Sequence, residues 1–406
     1  MDTFLSRLNE FQLMRNPFNP GSGVPPPYLA GREEQIKKFD KLLESVKDGH
    51  IENALIYGLR GTGKTVLLDE FQGLCVKKGF LPIRRSQFSE KYCNEEDFEV
   101  AFKYDIRVAI ESFSCLSAIK NGMMTVLSYI KPKKVGVPGL VYYEPAYHKE
   151  RKVPFEDYLA NYLDKNWVIF EKAGFSGVVL LYDEFHTVVD KKRGGQYVLS
   201  DLIAALNEVQ KKGEKYLGVF SGLPNLRLNV KKARSYSERM FADILVGNLE
   251  EDQARLAIKR PLEESDYKFD DKLVDTLVRD TEGYPYFIQF YCKEIITNAE
   301  SLKIEVDDYN RIKPSIIKGL DIGFFDPRFE LASNEEQEVL CGMSKFAGVN
   351  IPFEFIGKTA HKERASVIRS LDRLEKKGMT YNHKRGLYRF SIPMFQGYLK
   401  RKCSQS

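Results

Sequence analysis

Apolar residues along the chain recur in three different patterns. Up to about residue 247, short apolar runs alternate with segments of helical period. ENALIYG (52–58), LPIRRSQF (81–88), GVVLLYDEF (177–185) and KYLGVFSGLPNL (215–226) read as strands, with GLVYY (139–143) a further possibility. Between them, residues 33–46 place Ile36, Phe39, Leu42, Leu43 and Val46 at helical spacing. TVLLDEFQGLCVKK (65–78), PFEDYLANYLDKNWVIFEKAG (154–174) and SDLIAALNEVQKKG (200–213) also read as helices, and residues 95–130 as an irregular one. Strands alternating with helices predict an α/β layer built on a parallel sheet. KPKKVGVPG (131–139) and HKERKVP (148–154) read as exposed loops, and the Pro/Gly-rich stretch 16–32 cannot continue a helix.

Beyond residue 247 the period becomes helical, over LEEDQARLAIKRPLEE (249–264), DDKLVDTLVRD (270–280) and YPYFIQFYCKEIITNA (284–299). Asn248 with Glu251 three residues later predicts a capping box at the first of these. The last pattern places a helix at NEEQEVLCGMSKF (334–346), then a turn and the helix HKERASVIRSLDRLEKKG (361–378). The hairpin-like TYNHKRGLYRFSI (380–392) and the helix MFQGYLKRK (394–402) follow. Helices followed by a β-hairpin are the order of a winged helix. The expected divisions are an extension at 1–30, a P-loop α/β domain at 31–247, a helical lid at 248–325 and a winged-helix domain at 331–406. The break is expected near FDPRFELAS (325–333), and no internal repeat is seen.

Composition narrows the function. With 43% apolar and 29% charged residues the chain reads as a soluble globular protein. No apolar run reaches 18 residues, so no membrane span is expected, and the charged opening MDTFLSRLNEFQLMRNPF is unlike a signal peptide. Six cysteines, scattered and never in CxxC, argue against structural zinc and a disulfide framework and fit a reducing cytoplasm. The net charge of +5 is uneven: residues 331–406 hold 14 Lys and Arg against 7 Asp and Glu, an excess of seven that leaves the rest at −2. An acidic partner, nucleic acid first, is implied for this tail.

The sharpest motif is GLRGTGKT. It fits G-x-x-x-x-G-K-[ST], with Gly58, Gly63, Lys64 and Thr65 at the fixed places and Arg60, Gly61, Thr62 and Val66 completing the loop. Glycines let successive N–H groups turn toward phosphates, and the helix that follows adds the positive end of its dipole. Lys64 is the charge expected on the β/γ-phosphates and Thr65 the Mg²⁺ ligand, so ATP and Mg²⁺ are the expected cofactors. GVVLLYDEF places Asp183 and Glu184 directly after a buried run. Asp183 is expected on Mg²⁺, and Glu184 is expected to orient and deprotonate the attacking water. His186 reads as a surface or packing residue rather than a base.

GLRGTGKT with LLYDEF resembles the Walker A and Walker B motifs of AAA+ and STAND ATPases. LAGREEQ resembles the box, carrying Arg32, that precedes the phosphate loop near the adenine in initiator-like members. PFNPGSGVPPPYLAGRE is similar to prokaryotic origin-recognition-like AAA ATPases. That resemblance spans roughly residues 14–300 and is weak over 90–165. It implies a polar sensor at the end of KYLGVFSG, where Ser221 and, four residues on, Asn225 stand. It implies an arginine finger in SYSERMFADILVGNL, at Arg239 with Arg234 as competitor. Tyr286 stands where an arginine sensor is common. GYP instead resembles the STAND element whose proline, Pro285, senses the nucleotide, which implies a slow switch.

In the tail, Lys362, Arg364, Arg369, Arg373, Lys376 and Lys377 lie on or beside one helix, with Lys384, Arg385 and Arg389 in the wing. Such a distribution suits phosphate contacts to double-stranded DNA. The stripe Val367, Ile368, Leu371 and Leu374 is expected to hold that helix to its domain. Three readings stay open: an ATP-dependent switch on DNA, a STAND-type signalling or defence regulator with a protein partner, and a nucleotide-binding scaffold. Self-association that depends on nucleotide is expected through Arg239.

Overall fold

Five short strands form the centre of the nucleotide-binding part, and their apolar runs explain why. β1 (Asn53–Tyr57), β2 (Leu81–Arg85), β3 (Val178–Tyr182), β4 (Tyr216–Gly222) and β5 (Phe241–Leu245) pair in parallel in the order β2-β3-β4-β1-β5. Every residue of β3 and β4 is buried, as a parallel strand covered on both faces requires. The computed structural model describes residues 16–21, 23–120 and 153–404, and only the backbone of 113–120. The expected strand 139–143, the loop 131–139, most of 148–154, the stretch 121–130 and the first 15 residues lie outside the described residues.

Two units are distinguished. One is formed by Gln35–Tyr57 and Leu67–Leu245, the other by residues up to Glu34, by Gly58–Val66 and by residues from Val246 onward. In the first, the sheet is flanked by α1 (Glu33–Lys47), α2 (Lys64–Lys77), α3 (Glu95–Lys120), α4 (Phe155–Lys172), α5 (Val198–Lys211) and α6 (Asn225–Ala233). Phe88, Phe185 and Phe220 hold the site edge of the sheet rigid, with Phe185 stacked on Phe220 at 4.4 Å.

The second unit carries α7 (Glu251–Glu263), α8 (Asp271–Thr281), α9 (Pro285–Thr297) and α10 (Val306–Leu320). A π turn (Asp321–Phe325) leads to α11 (Asp326–Glu330) and α12 (Asn334–Ser344). Two-residue strands β6 (Lys268–Phe269) and β7 (Lys303–Ile304) pair in parallel beside α8. Then come β8 (Ile351–Pro352), α13 (Phe353–Thr359), α14 (Arg364–Lys376), β9 (Thr380–Lys384), β10 (Leu387–Phe390) and α15 (Phe395–Cys403), with β8, β10 and β9 in one antiparallel sheet. Among the described residues no helix is long and apolar enough to cross a membrane.

Several expectations change. No capping box forms at Asn248: α7 begins after Glu250, and the Asn248 amide donates instead to the Glu282 carbonyl. Capping boxes do form at Glu305 with Asp308 and at Ser333 with Glu336. Residues 325–330 of this stretch are helical and 331–333 form a short turn, with Phe325 and Phe329 buried in a core that continues to Phe395 and Tyr398. A helix, α13, replaces the expected turn before α14. On α14 the buried face is Val367, Ser370, Leu371 and Leu374, while Ile368 is 41% exposed. Ile368 sits about 100° from the centre of the i, i+4, i+7 stripe.

One part of the cysteine expectation changes as well. Cys341 on α12 and Cys403 on α15 form a disulfide, their Cα atoms 5.9 Å apart across 62 residues of sequence. α15 docks through buried Phe395, Tyr398 and Leu399 and is tied by Arg401 to Asp321 at 2.6 Å and by Lys402 to Asp326 at 2.7 Å. Packing of non-adjacent helices, invisible in spacing, brings the thiols together, while Cys75, Cys93 and Cys292 are free.

Glu214, between α5 and β4, is buried, and burial with the neighbouring Asp164 carboxyl pushes its pKa up to about 8. The folded chain therefore holds a proton there that the unfolded chain releases near pH 4.5, so stability falls as pH rises between these values. Thermal melts of Glu214→Gln against wild type are expected to show a stability gain for the variant that grows from pH 5 to pH 8 and then levels.

The candidate nucleotide site

The phosphate loop leaves β1 at Gly58 and enters α2 at Lys64. Its glycines have separate reasons. A Cβ on Gly58 would run into the Val246 carbonyl oxygen, and Gly61 and Gly63 have φ of +75° and +90°. Nothing lies within 4 Å of where a Gly63 side chain would begin. Backbone curled in this way turns carbonyls outward, and each of these needs a donor. The Lys64 ammonium, 6% exposed, donates to the carbonyls of Gly58 (3.0 Å) and Leu59 (2.7 Å), and the Thr62 hydroxyl donates to Leu59 (2.9 Å).

Two more donors come from far along the chain. Arg32 is buried and donates to the carbonyls of Thr62 (2.9 Å), Gly247 (2.8 Å) and Gly31 (2.9 Å). Burial pushes its guanidinium below the ordinary arginine value, partly opposed by Glu33. The structure thus gives Arg32 a bracing role on the loop. Tyr284, the middle of GYP, donates its hydroxyl to the Arg60 carbonyl and is buried against Phe287 at 4.6 Å. Pro285 is the first residue of α9, where its missing N–H costs nothing. Sequence reasoning missed Tyr284 because only the flanking Gly and Pro match a motif.

In the sheet unit, Asp183 follows β3 and is 1% exposed. Its Oδ1 accepts from the Glu184 amide at 2.9 Å and from the Ser221 hydroxyl at 2.8 Å, and Arg84 stands 3.6 Å from its Oδ2. Ser221 reaches it because β4 lies beside β3, with Tyr182 opposite Phe220. Arg84, also 3.7 Å from Asp69, went unnoticed in the strand LPIRRSQF, although a charge next to a buried run is itself a signal. Glu184 adopts φ 53°, left-handed backbone that a non-glycine residue avoids, and keeps its side chain one-third exposed. His186 is buried, as packing rather than surface, with its Nδ1 3.8 Å from Glu184 Oε2.

Asn225 opens α6 after β4, its amide oxygen buried. Of the two candidate arginine fingers, Arg234 is engaged within its own unit, paired with Glu156 and, at 3.5 Å, with Asp201. Arg239 stands exposed on a 3-10 turn (Ser237–Arg239), with no side-chain partner among the described residues.

The basic tail residues divide in the same way. Lys362 pairs with Glu338 at 2.5 Å, Lys377 with Glu336 at 2.5 Å, and Arg389 donates to Asn350 at 2.6 Å. Arg364 lies over the Phe353 ring at 4.8 Å. Arg369, Arg373 and Lys376 on α14, Lys384 at the end of β9 and Arg385 in the turn after it are exposed.

The loop meets the requirements of a phosphate: positive-φ glycines, open space at Gly63 and a lysine and helix start at its end. Residues 28–119 match the AAA ATPase domain family. Residues 322–399 match a domain of unknown function, DUF8462. No curated protein matches the chain. Among solved structures, a Walker-type ATPase of Pyrococcus abyssi is similar over 92% of this chain and 96% of its own, at 15% identity and a TM-score of 0.58. The Aeropyrum pernix ORC1 protein, solved in complex with DNA, covers 95% of both chains at 14% identity and a TM-score of 0.46. Cdc6p of Pyrobaculum aerophilum covers 95% of this chain and 97% of its own at 13% identity, also with a TM-score of 0.46. The fold is that of a P-loop ATPase with a parallel five-stranded sheet and a helical C-terminal region.

Gly58→Ala is expected to abolish nucleotide binding and lower the melting temperature, since backbone must move to admit the methyl group. Gly73→Ala, on α2 with open space around it, is expected to leave binding intact and stabilise by about 0.5–1 kcal/mol. Calorimetry on both variants separates the two cases.

Proposed function

We propose that the chain is an ATP-binding switch that hydrolyses ATP slowly with Mg²⁺ and acts on double-stranded DNA through its C-terminal helices and hairpin. The observation that carries the hydrolytic part is the left-handed backbone at Glu184. Strain of this kind persists where surrounding structure imposes it, and it points the residue after a buried, fully bonded Asp183 away from the strand. In this reading Glu184 orients the attacking water and takes its proton. Lys64 and Arg60 hold phosphate charge, and Thr65 and Asp183 are the metal ligands. Mg²⁺ supplies charge neutralisation on the phosphates. Ser221 fixes the Asp183 carboxylate, and Arg239 is the residue offered to a second copy.

The DNA reading rests on the exposed Arg369, Arg373, Lys376, Lys384 and Arg385, in an element order that we read as a winged helix. The expected divisions at 31–247, 248–325 and 331–406 remain our functional partition of the chain. A second reading, the STAND-type regulator with a protein partner, is favoured by the hydrogen bond from Tyr284 to the phosphate loop, which makes GYP part of the nucleotide site.

Glu184→Gln is expected to keep ATP binding and to lower turnover by roughly 100-fold or more, the usual contribution of a general base. Lys64→Ala is expected to lose binding. Wild-type turnover in the Glu184 variant would remove Glu184 from its role. For the partner, anisotropy of a labelled duplex is expected to show affinity falling with salt. Changing Lys384 and Arg385 together to Gln should flatten the log–log slope by about two, one per lost phosphate contact. Absence of duplex binding at low salt, with ATP turnover intact, would favour the regulator.

A further inference from the structure

The outer wall of the phosphate loop holds two guanidiniums that no carboxylate among the described residues balances. Arg60 belongs to the loop. Its Nε is buried with no hydrogen-bond partner, and among the described residues no acid pairs with its side chain. Arg328 comes from α11, in the segment where the domain of unknown function begins. It is half-buried, its guanidinium lies 3.7 Å over the Phe324 ring, and its Nη1 donates to the Phe324 carbonyl at 2.6 Å. No carboxylate among the described residues pairs with it either.

An aromatic wall joins the two. Tyr284 donates to the Arg60 carbonyl, and a Cβ on Gly61 would touch the Tyr284 hydroxyl and, at 3.3 Å, the Tyr286 Cβ. Tyr286 stacks on Phe324 at 4.9 Å, and Phe324 carries Arg328 on its ring. Arg60 lies within electrostatic reach of Arg328, whose guanidinium sits below the ordinary arginine value through burial first and then through Arg60, with Tyr284 and Tyr286 opposing; Tyr284 senses both arginines. Gathering two cations in a partly dry place without an anion is unfavourable unless an anion arrives.

We propose that Arg328 and Arg60 close together on the phosphate groups of a nucleoside di- or triphosphate held by residues 58–65. The inference rests on the nucleotide reading of that loop and adds to it a contact from the C-terminal segment. Tyr286 stands where a sensor arginine is common, and Arg328 brings a guanidinium to the same wall from about 40 residues further along. Because α11 leads directly into α12, the charge of the bound nucleotide then bears on the C-terminal helices. Guanidinium contacts to phosphate are among the stronger hydrogen bonds and persist best out of bulk water.

The test is equilibrium binding of fluorescent ADP and ATP analogues to the full chain at two salt concentrations. Wild type, Lys64→Ala, Arg328→Gln, Arg328→Lys and Arg60→Gln are compared, each with a thermal melt without nucleotide. Arg328→Gln is expected to lose roughly 10-fold or more in affinity and part of the salt dependence, with an unchanged melt. Arg328→Lys should lose less. A purely structural role would move the melt and not the salt dependence. Should Arg328→Gln melt early, Arg60→Gln, which has no side-chain bond to lose, reads the same clasp. Binding by wild type, its loss in Lys64→Ala and affinities within twofold of wild type in Arg328→Gln and Arg60→Gln would overturn the clasp alone. No nucleotide binding by wild type would overturn the loop reading and the clasp with it.

Discussion

A backbone that turns its N–H groups inward toward phosphate has to turn its carbonyls outward, and those carbonyls cannot be left unbonded. Much of the second unit answers that constraint. Lys64 serves Gly58 and Leu59, Thr62 serves Leu59, Tyr284 serves Arg60 and Arg32 serves Thr62. Two of these donors are local. The other two, from residues 32 and 284, require the segment before the loop and the helix after Gly283 to stand beside it. Gly283 is held in turn, since a Cβ there would run into the Leu249 carbonyl. The shape of the loop and the placing of these helices are thus one problem with one solution.

The sheet unit follows a different rule. Strands buried on both faces leave only their ends for chemistry, so polar groups gather where β3 and β4 stop. Asp183 is fixed there by an amide, a hydroxyl and a nearby guanidinium, whereas Glu184 is turned aside by a strained φ. Its neighbours make that turn affordable: Phe185 is packed between Phe88 and Phe220, and Thr187 donates to the Glu184 carbonyl. Two adjacent carboxylates consequently have different environments, one immobile and one one-third exposed.

What was legible in the sequence was what short-range pattern encodes. GLRGTGKT, GVVLLYDEF and the long amphipathic helices announce themselves within a few residues. β5 did not, because FADIL at the sheet edge carries Asp243 and an exposed Leu245 in a run too short to alternate visibly. Asn248 matched a cap motif, yet its amide found a carbonyl 34 residues away. Cys341 with Cys403, and Tyr284 with the Arg60 carbonyl, are pairings between distant segments, and nothing in the spacing of one segment reports them. Ile368 shows the same limit on a single helix. Apolar character gave the stripe its members, while the position of α12 and α13 decided that Ser370 lies inside and Ile368 outside.

The division among the basic residues follows from the same logic of local satisfaction. Lys362 and Lys377 face acids of α12, and holding that helix against α14 uses their charge. Arg369, Arg373 and Lys376 are exposed on α14, Arg369 and Arg373 within electrostatic reach of Glu335, and Lys384 and Arg385 sit at a hairpin tip. Counting charge alone gives the tail an excess of seven, but neutralised lysines contribute little field beyond a Debye length. Five of the exposed cations able to meet an acidic partner lie on α14 and at the hairpin. Under the DNA reading proposed above, these are the side chains open to phosphates, whose charges the paired lysines could meet only by giving up their acids.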